Sequence, residues 1–166
     1  MIVTAKINNV VVADSVASQD EIRKNRSKIM SYAIGLLDSG IEQVDCPVKH
    51  MFANGVYIRE ILMPADTFII GKIHSTEHFN EIVSGECKVY TPKSKTAVDH
   101  SGGDIFVSEA GVQKVVYNVT DVIWRTVHLN PTNTQDLAEI EKQVISIDYE
   151  SLPYDQLIEE CKRIGL

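Results

Sequence analysis

The sequence has no long apolar run and no excess of basic residues. None of its hydrophobic stretches approaches the ~18 residues that a membrane-spanning helix needs. Residues 1–12 lack the basic start and long apolar centre of a signal peptide. The 16 basic residues are outnumbered by 23 acidic ones, which gives a net charge of −7. Binding a nucleic-acid duplex requires basic surface, so the negative net charge argues against it. The absence of a long apolar run and of a signal-peptide pattern adds to this, and we expect a cytoplasmic protein that binds neither membranes nor nucleic-acid duplexes.

Cysteine is also scarce. Cys46, Cys87 and Cys161 are odd in number, far apart and in no paired spacing. This pattern favours buried thiols in a reducing compartment over a disulfide framework or a zinc knuckle. None of the three lies in a sequence context that is typical of a catalytic thiol, so we expect no cysteine chemistry.

The 166 residues are enough for one domain with an extension at each end. We assign residues 1–45 to an N-terminal extension, 46–130 to a β-rich domain and 131–166 to a C-terminal helical extension. The first extension is predicted to hold a strand at residues 2–12 and, after a capping box from Ser18 to Glu21, an amphipathic helix that stops at Gly40. The C-terminal extension is predicted to hold helices at residues 136–144 and 149–164.

Short β-rich segments separated by turn residues fill the middle of the chain. The clearest strands are predicted at residues 56–62, 67–74, 79–83, 87–91, 104–107, 114–117 and 122–128. A doubly wound sheet is disfavoured because these strands do not alternate with helices. Their number and spacing favour a sandwich, a jelly roll or a small barrel.

Two histidines stand four residues apart, where one predicted strand gives way to the next. His74 and His78 share parity, so both side chains point inward if this segment is extended. Neutral imidazole nitrogens suit zinc, iron, nickel and copper, so the pair is a reasonable beginning for a metal site. The alternative is that the two histidines hydrogen-bond each other, Glu77 or a ligand, with no metal present.

These segments resemble the motifs of the cupin superfamily. The first family motif runs from a histidine pair through a spacer to a glutamate and then a glycine. When the motif is aligned on Gly85, Lys72 stands at its first histidine, His74 at its second and His78 at its glutamate. The resemblance covers roughly half of the chain.

The second family motif runs from a glycine to a proline-x-glycine turn, then to a histidine and an asparagine. When it is aligned on Gly103, this sequence has Glu109 at the proline, Gly111 at the turn glycine, Lys114 at the histidine and Asn118 at the asparagine. The resemblance implies a mainly β fold, a cupin-type antiparallel β-barrel (jelly roll) with N-terminal and C-terminal helical extensions. It also implies a homodimer, since cupins commonly pair through exposed barrel edges.

Lysine therefore occupies two of the four usual ligand positions. A protonated lysine does not ligate a metal, and its charge opposes a nearby cation. His128 and Glu77 are candidates to complete a site with His74 and His78 for one divalent transition metal, such as Zn, Fe, Ni or Mn.

The same two lysines favour an anionic ligand. If the cupin alignment holds, Lys72 and Lys114 point into the barrel, where their charges suit a carboxylate or phosphate group. The alternative is that they are solvated surface residues. Tyr57, Trp124 and Asn118 are further candidates for contact with the ligand.

A narrower resemblance concerns the segment from His50 to Tyr57 together with residues 72–74, 77–78 and 126–128. These segments are similar to small cupin-like proteins of tailed phages, which implies an accessory phage or prophage protein in the host cytoplasm. We therefore expect a small cupin that binds a small polar or anionic molecule in its barrel, with a histidine-bound divalent metal as an option. Two alternatives stay open: a phage-encoded protein that sequesters a ligand or interacts with virion or host, and a metal-dependent lyase, isomerase or dioxygenase.

Overall fold

The computed structural model of the chain describes residues 44–94 and 96–147, together with single positions from 18 to 35 that lie in or next to a helical segment. The elements in chain order are β1 (Val48–Ala53), β2 (Gly55–Met63), β3 (Phe68–Ile70), β4 (Ile73–His74), β5 (His78–Ser84), β6 (Glu86–Tyr90), β7 (Val98–Ser101), β8 (Ile105–Ser108), β9 (Val115–Asn118), β10 (Val122–Asn130), α1 (Leu137–Val144) and β11 (Ile145–Ile147).

Two antiparallel sheets interleave along the chain. One has the strand order β1-β2-β10-β5-β8 and the other β3-β9-β6-β7, while β11 pairs with β4. Leaving out β1, the first sheet contains β2, β5, β8 and β10, and the second contains β3, β6, β7 and β9, which lie between them in the chain. This is the interleaving of a jelly roll, so the predicted fold class, mainly β with a jelly-roll barrel, is confirmed.

The interior of the barrel changes from apolar to polar along its length, and β10 shows this most clearly. Its buried residues alternate with less buried ones, as expected for a strand with one face in the core. Val122 and Trp124 come first along that face, and Thr126, His128 and Asn130 follow. The apolar half forms one cluster of buried residues, which comprises Met63, Ile82, Cys87, Val89, Val116, Val122 and Trp124.

Helix α1 closes the polar half. The side chain of Asp136 accepts a hydrogen bond from the backbone N–H of Ala138 and so caps the helix N-terminus. Ile140 and Val144 of the helix pack with Tyr57 in a second apolar cluster. The next strand, β11, pairs with β4 at His74. The segment that carries His74 is therefore held in place by the chain that follows the barrel, namely α1 and β11.

The capping box at the N-terminal helical segment is confirmed. The backbone N–H and hydroxyl of Ser18 donate to a carboxylate oxygen of Glu21, at 2.8 and 2.9 Å, and the Glu21 N–H donates back to the hydroxyl at 3.3 Å. The strand predicted at residues 2–12 and the helix predicted at 149–164 lie outside the described residues. Among the described residues, no helix has the length and apolar character to cross a bilayer.

Candidate functional site

Three histidines meet inside the polar half of the barrel. His74 comes from β4, His78 from the first position of β5 and His128 from β10. Their ring centroids lie 4.2 Å apart for His74 and His78, 4.7 Å for His78 and His128, and 5.1 Å for His74 and His128. The structure thus brings together all three histidines that the sequence singled out.

The sheet register explains why two of them are neighbours. Thr126 of β10 pairs with Asn80 of β5, and Val127 pairs with Phe79. Alternation along each strand then turns His128 and His78 to the same inner face. Only 2% of His128 and 3% of His78 are exposed, so neither ring is solvated by bulk water.

Burial keeps these imidazoles uncharged. It lowers the pKa of His74 to about 2, that of His128 to about 3 and that of His78 to about 4. Mutual repulsion adds to the effect, since a charge on His78 opposes protonation of the other two rings. Near neutral pH all three are therefore neutral, and each ring offers one N–H donor and one nitrogen acceptor.

A lysine completes this cluster. The Nζ atom of Lys114 lies 3.5 Å from Nε2 of His78. Since His78 Nδ1 lies 3.0 Å from the carbonyl oxygen of Thr76 and must donate to it, Nε2 is the acceptor that faces the lysine. Lys114 is only 8% exposed, and burial lowers its pKa to about 8. The group is still mostly protonated near pH 7.

Lys114 forms no ion pair with a carboxylate among the residues that the structure describes. The ion pairs formed among the described residues join other groups and leave Lys114 out. Several buried polar atoms around it also have no hydrogen-bond partner, namely Nδ1 of His74, Nδ1 of His128 and the hydroxyl of Thr126. Unpaired buried polar groups are costly, so these atoms need a partner such as an ordered water, an ion or a ligand.

The residues do not fit a metal ion in the arrangement observed. Neutral imidazoles have the right donor chemistry, and the free Nδ1 atoms of His74 and His128 are available. However, Lys114 stands at Nε2 of His78, where its charge opposes a cation. Within residues 44–147 and the described helical positions, no set of three or more His, Cys, Asp or Glu side chains is arranged to hold a metal.

Two of the proposed site residues face the surface. Glu77, a candidate metal ligand, is exposed, whereas the next residue is buried. The Nζ atom of Lys72 donates to a carboxylate oxygen of Glu141 in α1 at 2.7 Å, with both side chains partly exposed. Lys72 is thus paired with α1, and its contact with a ligand stays a prediction.

The three remaining candidates have different surroundings. Tyr57 is buried beside His128, with ring centroids 6.0 Å apart, and its hydroxyl lies 2.7 Å from Nδ1 of His50. Trp124 belongs to the apolar cluster. The side-chain amide of Asn118 donates to the Thr67 hydroxyl at 2.8 Å, at the end of β9 remote from Lys114. Of the three, Tyr57 contacts the histidine cluster.

Sequence reasoning missed a second cation in this region, Arg59. It pairs with Thr126 across β2 and β10, and with His50 across β1 and β2. Its charge lowers the pKa of His50, His74 and His128. Arg59 shares strand parity with Tyr57, so its inward position could have been predicted from the sequence. It was not predicted, because arginine side chains are usually exposed.

No protein-family model matches the sequence, and no curated protein matches it. Solved structures with a similar fold include a conserved protein of unknown function from Streptococcus pyogenes, with 17% identity over 54% of this chain and 78% of that one and a TM-score of 0.44. Another is an RmlC-like cupin family protein with a double-stranded β-helix fold from Methanocaldococcus jannaschii (16% identity, 55% and 94% coverage, TM-score 0.44). A cupin superfamily protein from Desulfitobacterium hafniense has 16% identity, 56% and 86% coverage and a TM-score of 0.43.

Proposed function

We propose that the protein binds a small anionic molecule, such as an organic acid, in the polar half of its barrel, with Lys114 as the charged contact. The observation that carries this proposal is a buried ammonium group that faces neutral imidazoles and has no ion pair with any described carboxylate. Leaving a buried charge unpaired is costly. An anion bound beside Lys114 supplies the partner that the described residues do not.

The neutral imidazoles support the same proposal. Rings that are already uncharged donate and accept hydrogen bonds without first losing a proton. The free Nδ1 atoms of His74 and His128 and the Thr126 hydroxyl offer such bonds to the hydroxyl or carboxyl oxygens of a ligand. Sequestration of the ligand without turnover, one of the alternatives that the sequence left open, is one form of this function.

A divalent metal held by His74, His78 and His128 is the second candidate. The two unpartnered Nδ1 atoms favour it, and the position of Lys114 disfavours it. Elemental analysis of natively purified protein tests this candidate. Stoichiometric metal that disappears in the double variant His74→Ala, His128→Ala supports it, and metal-free protein with an intact fold contradicts it.

Calorimetric titration of metal-free protein with acetate and with inorganic phosphate tests the anion proposal. Wild-type protein is expected to bind at least one of them near pH 7, and Lys114→Met to weaken that binding by about tenfold or more, because a charge-assisted hydrogen bond is lost. Lys88→Met is the matched control, since Lys88 is exposed and pairs with Asp99 on the surface. Equal affinity in Lys114→Met and wild type, or no binding of either anion to wild type, contradicts the proposal.

A further inference from the structure

Arg59 lies on the inner face of the barrel, next to the histidine cluster. On β2 the buried residues Tyr57 and Met63 have the same parity as Arg59. Glu60, of opposite parity, pairs with Arg125 on the outer face. Tyr57 is directly opposite His128 in the register, so Arg59 is the diagonal neighbour of His128. A long side chain can span the distance between diagonal neighbours on adjacent strands.

The guanidinium group is another cation that forms no ion pair with a described carboxylate. Burial lowers the pKa of Arg59, and Tyr57, Glu141 and Cys46 act in the opposite direction. Glu141 is the carboxylate among these three, and it already accepts from Lys72.

Arg59 and Lys114 approach the histidines from opposite sheets. Arg59 is on β2 of the five-stranded sheet, and Lys114 directly precedes β9 of the four-stranded sheet. The unpartnered hydroxyl of Thr126, opposite Arg59, and the free Nδ1 atoms of His74 and His128 complete the polar groups of this region. This region therefore has two separate positive groups with hydrogen-bonding groups around them.

We propose that Arg59 is a second anchor and that the ligand is a small dicarboxylate, with one carboxylate on Lys114 and the other on the guanidinium of Arg59. This inference rests on the proposed function. A guanidinium accepts a carboxylate through two parallel N–H···O bonds, which gives geometric selectivity as well as charge. A monocarboxylate satisfies one cation and leaves the other unpaired, so the second carboxylate is what the pocket selects.

Calorimetric titration with malonate, succinate and glutarate, against acetate and butyrate, tests this inference. At least one dicarboxylate is expected to bind wild-type protein about tenfold tighter than either monocarboxylate. Arg59→Gln is expected to abolish that difference, because the second carboxylate then has no cation to pair with. Lys114→Met should weaken both classes. Arg125→Gln is the matched control, because Arg125 lies on the outer face of the adjacent strand and pairs with Glu60 and Glu81.

The outcomes separate this inference from the proposed function. Monocarboxylate binding that depends on Lys114, with no gain from a second carboxylate or with a gain that persists in Arg59→Gln, overturns the dicarboxylate assignment alone. No anion binding at all overturns the proposed function. If Arg59→Gln does not fold, Arg59→Lys keeps the charge but removes the bidentate geometry. It should then weaken dicarboxylate binding by about threefold or more, and unchanged affinity overturns the inference.

Discussion

At the scale of single residues, the buried histidines determine how stability responds to acid. Their pKa values are lowered to about 2, 4 and 3 for His74, His78 and His128, below the ordinary value of 6.5. Above about pH 6.5 both folded and unfolded states carry neutral rings, so stability is unaffected. As the pH falls below that value the unfolded chain takes up protons that the folded protein excludes, so the folded state is progressively destabilised.

The expected loss between about pH 7.5 and about pH 5.5 is at most about 1.4 kcal/mol for each histidine. Urea unfolding at both pH values, with a chelator present, measures it. The double variant His74→Gln, His128→Gln should show a clearly smaller pH dependence than wild type, since carboxylates contribute equally to both proteins. The same slope in the variant contradicts the assignment of these rings as buried and neutral.

Asn80 is a second residue whose contribution can be isolated. It is fully buried, its side-chain oxygen accepts from the indole N–H of Trp124 at 3.2 Å, and its amide donates to the Ser108 hydroxyl at 2.9 Å. Asn80→Leu leaves both partners unpaired and should cost about 2–4 kcal/mol of unfolding free energy. Ser108→Ala removes one partner and should cost about 1 kcal/mol.

Fluorescence reports this change directly, because Trp124 is the only tryptophan of the chain. Urea unfolding followed by tryptophan emission gives the free energies of wild type, Asn80→Leu and Ser108→Ala. Asn80→Leu with a stability equal to that of Ser108→Ala would mean that the Asn80–Trp124 bond adds nothing to the apolar packing.

At the scale of elements, the turn from β5 to β6 depends on one glycine. Gly85 has a φ of +92°, and a Cβ added there lies 2.1 Å from the carbonyl oxygen of Asp121. Gly103 has a φ of +98°, but a Cβ there meets nothing within 4 Å. Gly103→Ala should therefore cost about 1 kcal/mol for its backbone conformation alone. Gly85→Ala should lower the unfolding free energy by clearly more than Gly103→Ala does, because the backbone at Asp121 must also move. Thermal unfolding of the two variants compares them, and equal losses would contradict the close approach of residues 85 and 121.

The same scale shows what the sequence predicts and what it does not. Strands with one buried face, such as β10, were predicted because their alternation is strong. Strands β1 and β7 were missed as elements, since polar residues such as Lys49, His50 and Asp99 obscure their alternation and pairing with a neighbouring strand determines them. Most predicted strand ends differ from the observed ones by one or two residues, as the ends of β2 and β5 show.

The candidate site, like the strands, could be predicted only in part from the local sequence pattern. The inward positions of His74 and His78 follow from strand parity, which is local, whereas those of Lys72 and Lys114 were expected from the cupin alignment. Lys114 directly precedes β9 and keeps its parity, but Lys72 lies between β3 and β4, where the chain leaves the strand conformation. Its partner, Glu141, is contributed by α1, and no pattern in the sequence indicates that this helix packs over the histidine end.

At the scale of the whole molecule, the outer face of the five-stranded sheet is unusually apolar. Its exposed residues Phe79 (57%), Ile105 (67%), Val107 (49%) and Leu129 (80%) form the outer patch. Phe79 pairs with Val107 on one side and Val127 on the other, so the patch is continuous across three strands. Strand β8 is also the edge of this sheet among the described strands.

We propose that a second copy of the chain covers this outer patch. Large exposed apolar patches mark interfaces, and a two-fold dimer brings the same patch and the same edge strand together from both copies. The row Glu60–Arg125–Glu81 alongside it carries charges of both signs, which a two-fold arrangement can pair across the interface.

Sedimentation velocity should therefore give a dimer for wild-type protein and a monomer for the double variant Phe79→Asp, Val107→Asp. Leu62→Asp, at an exposed apolar position on β2 away from the patch, is the control and should remain dimeric. A monomeric wild type, or a double variant that keeps its circular dichroism spectrum and still dimerises, excludes this face as the interface.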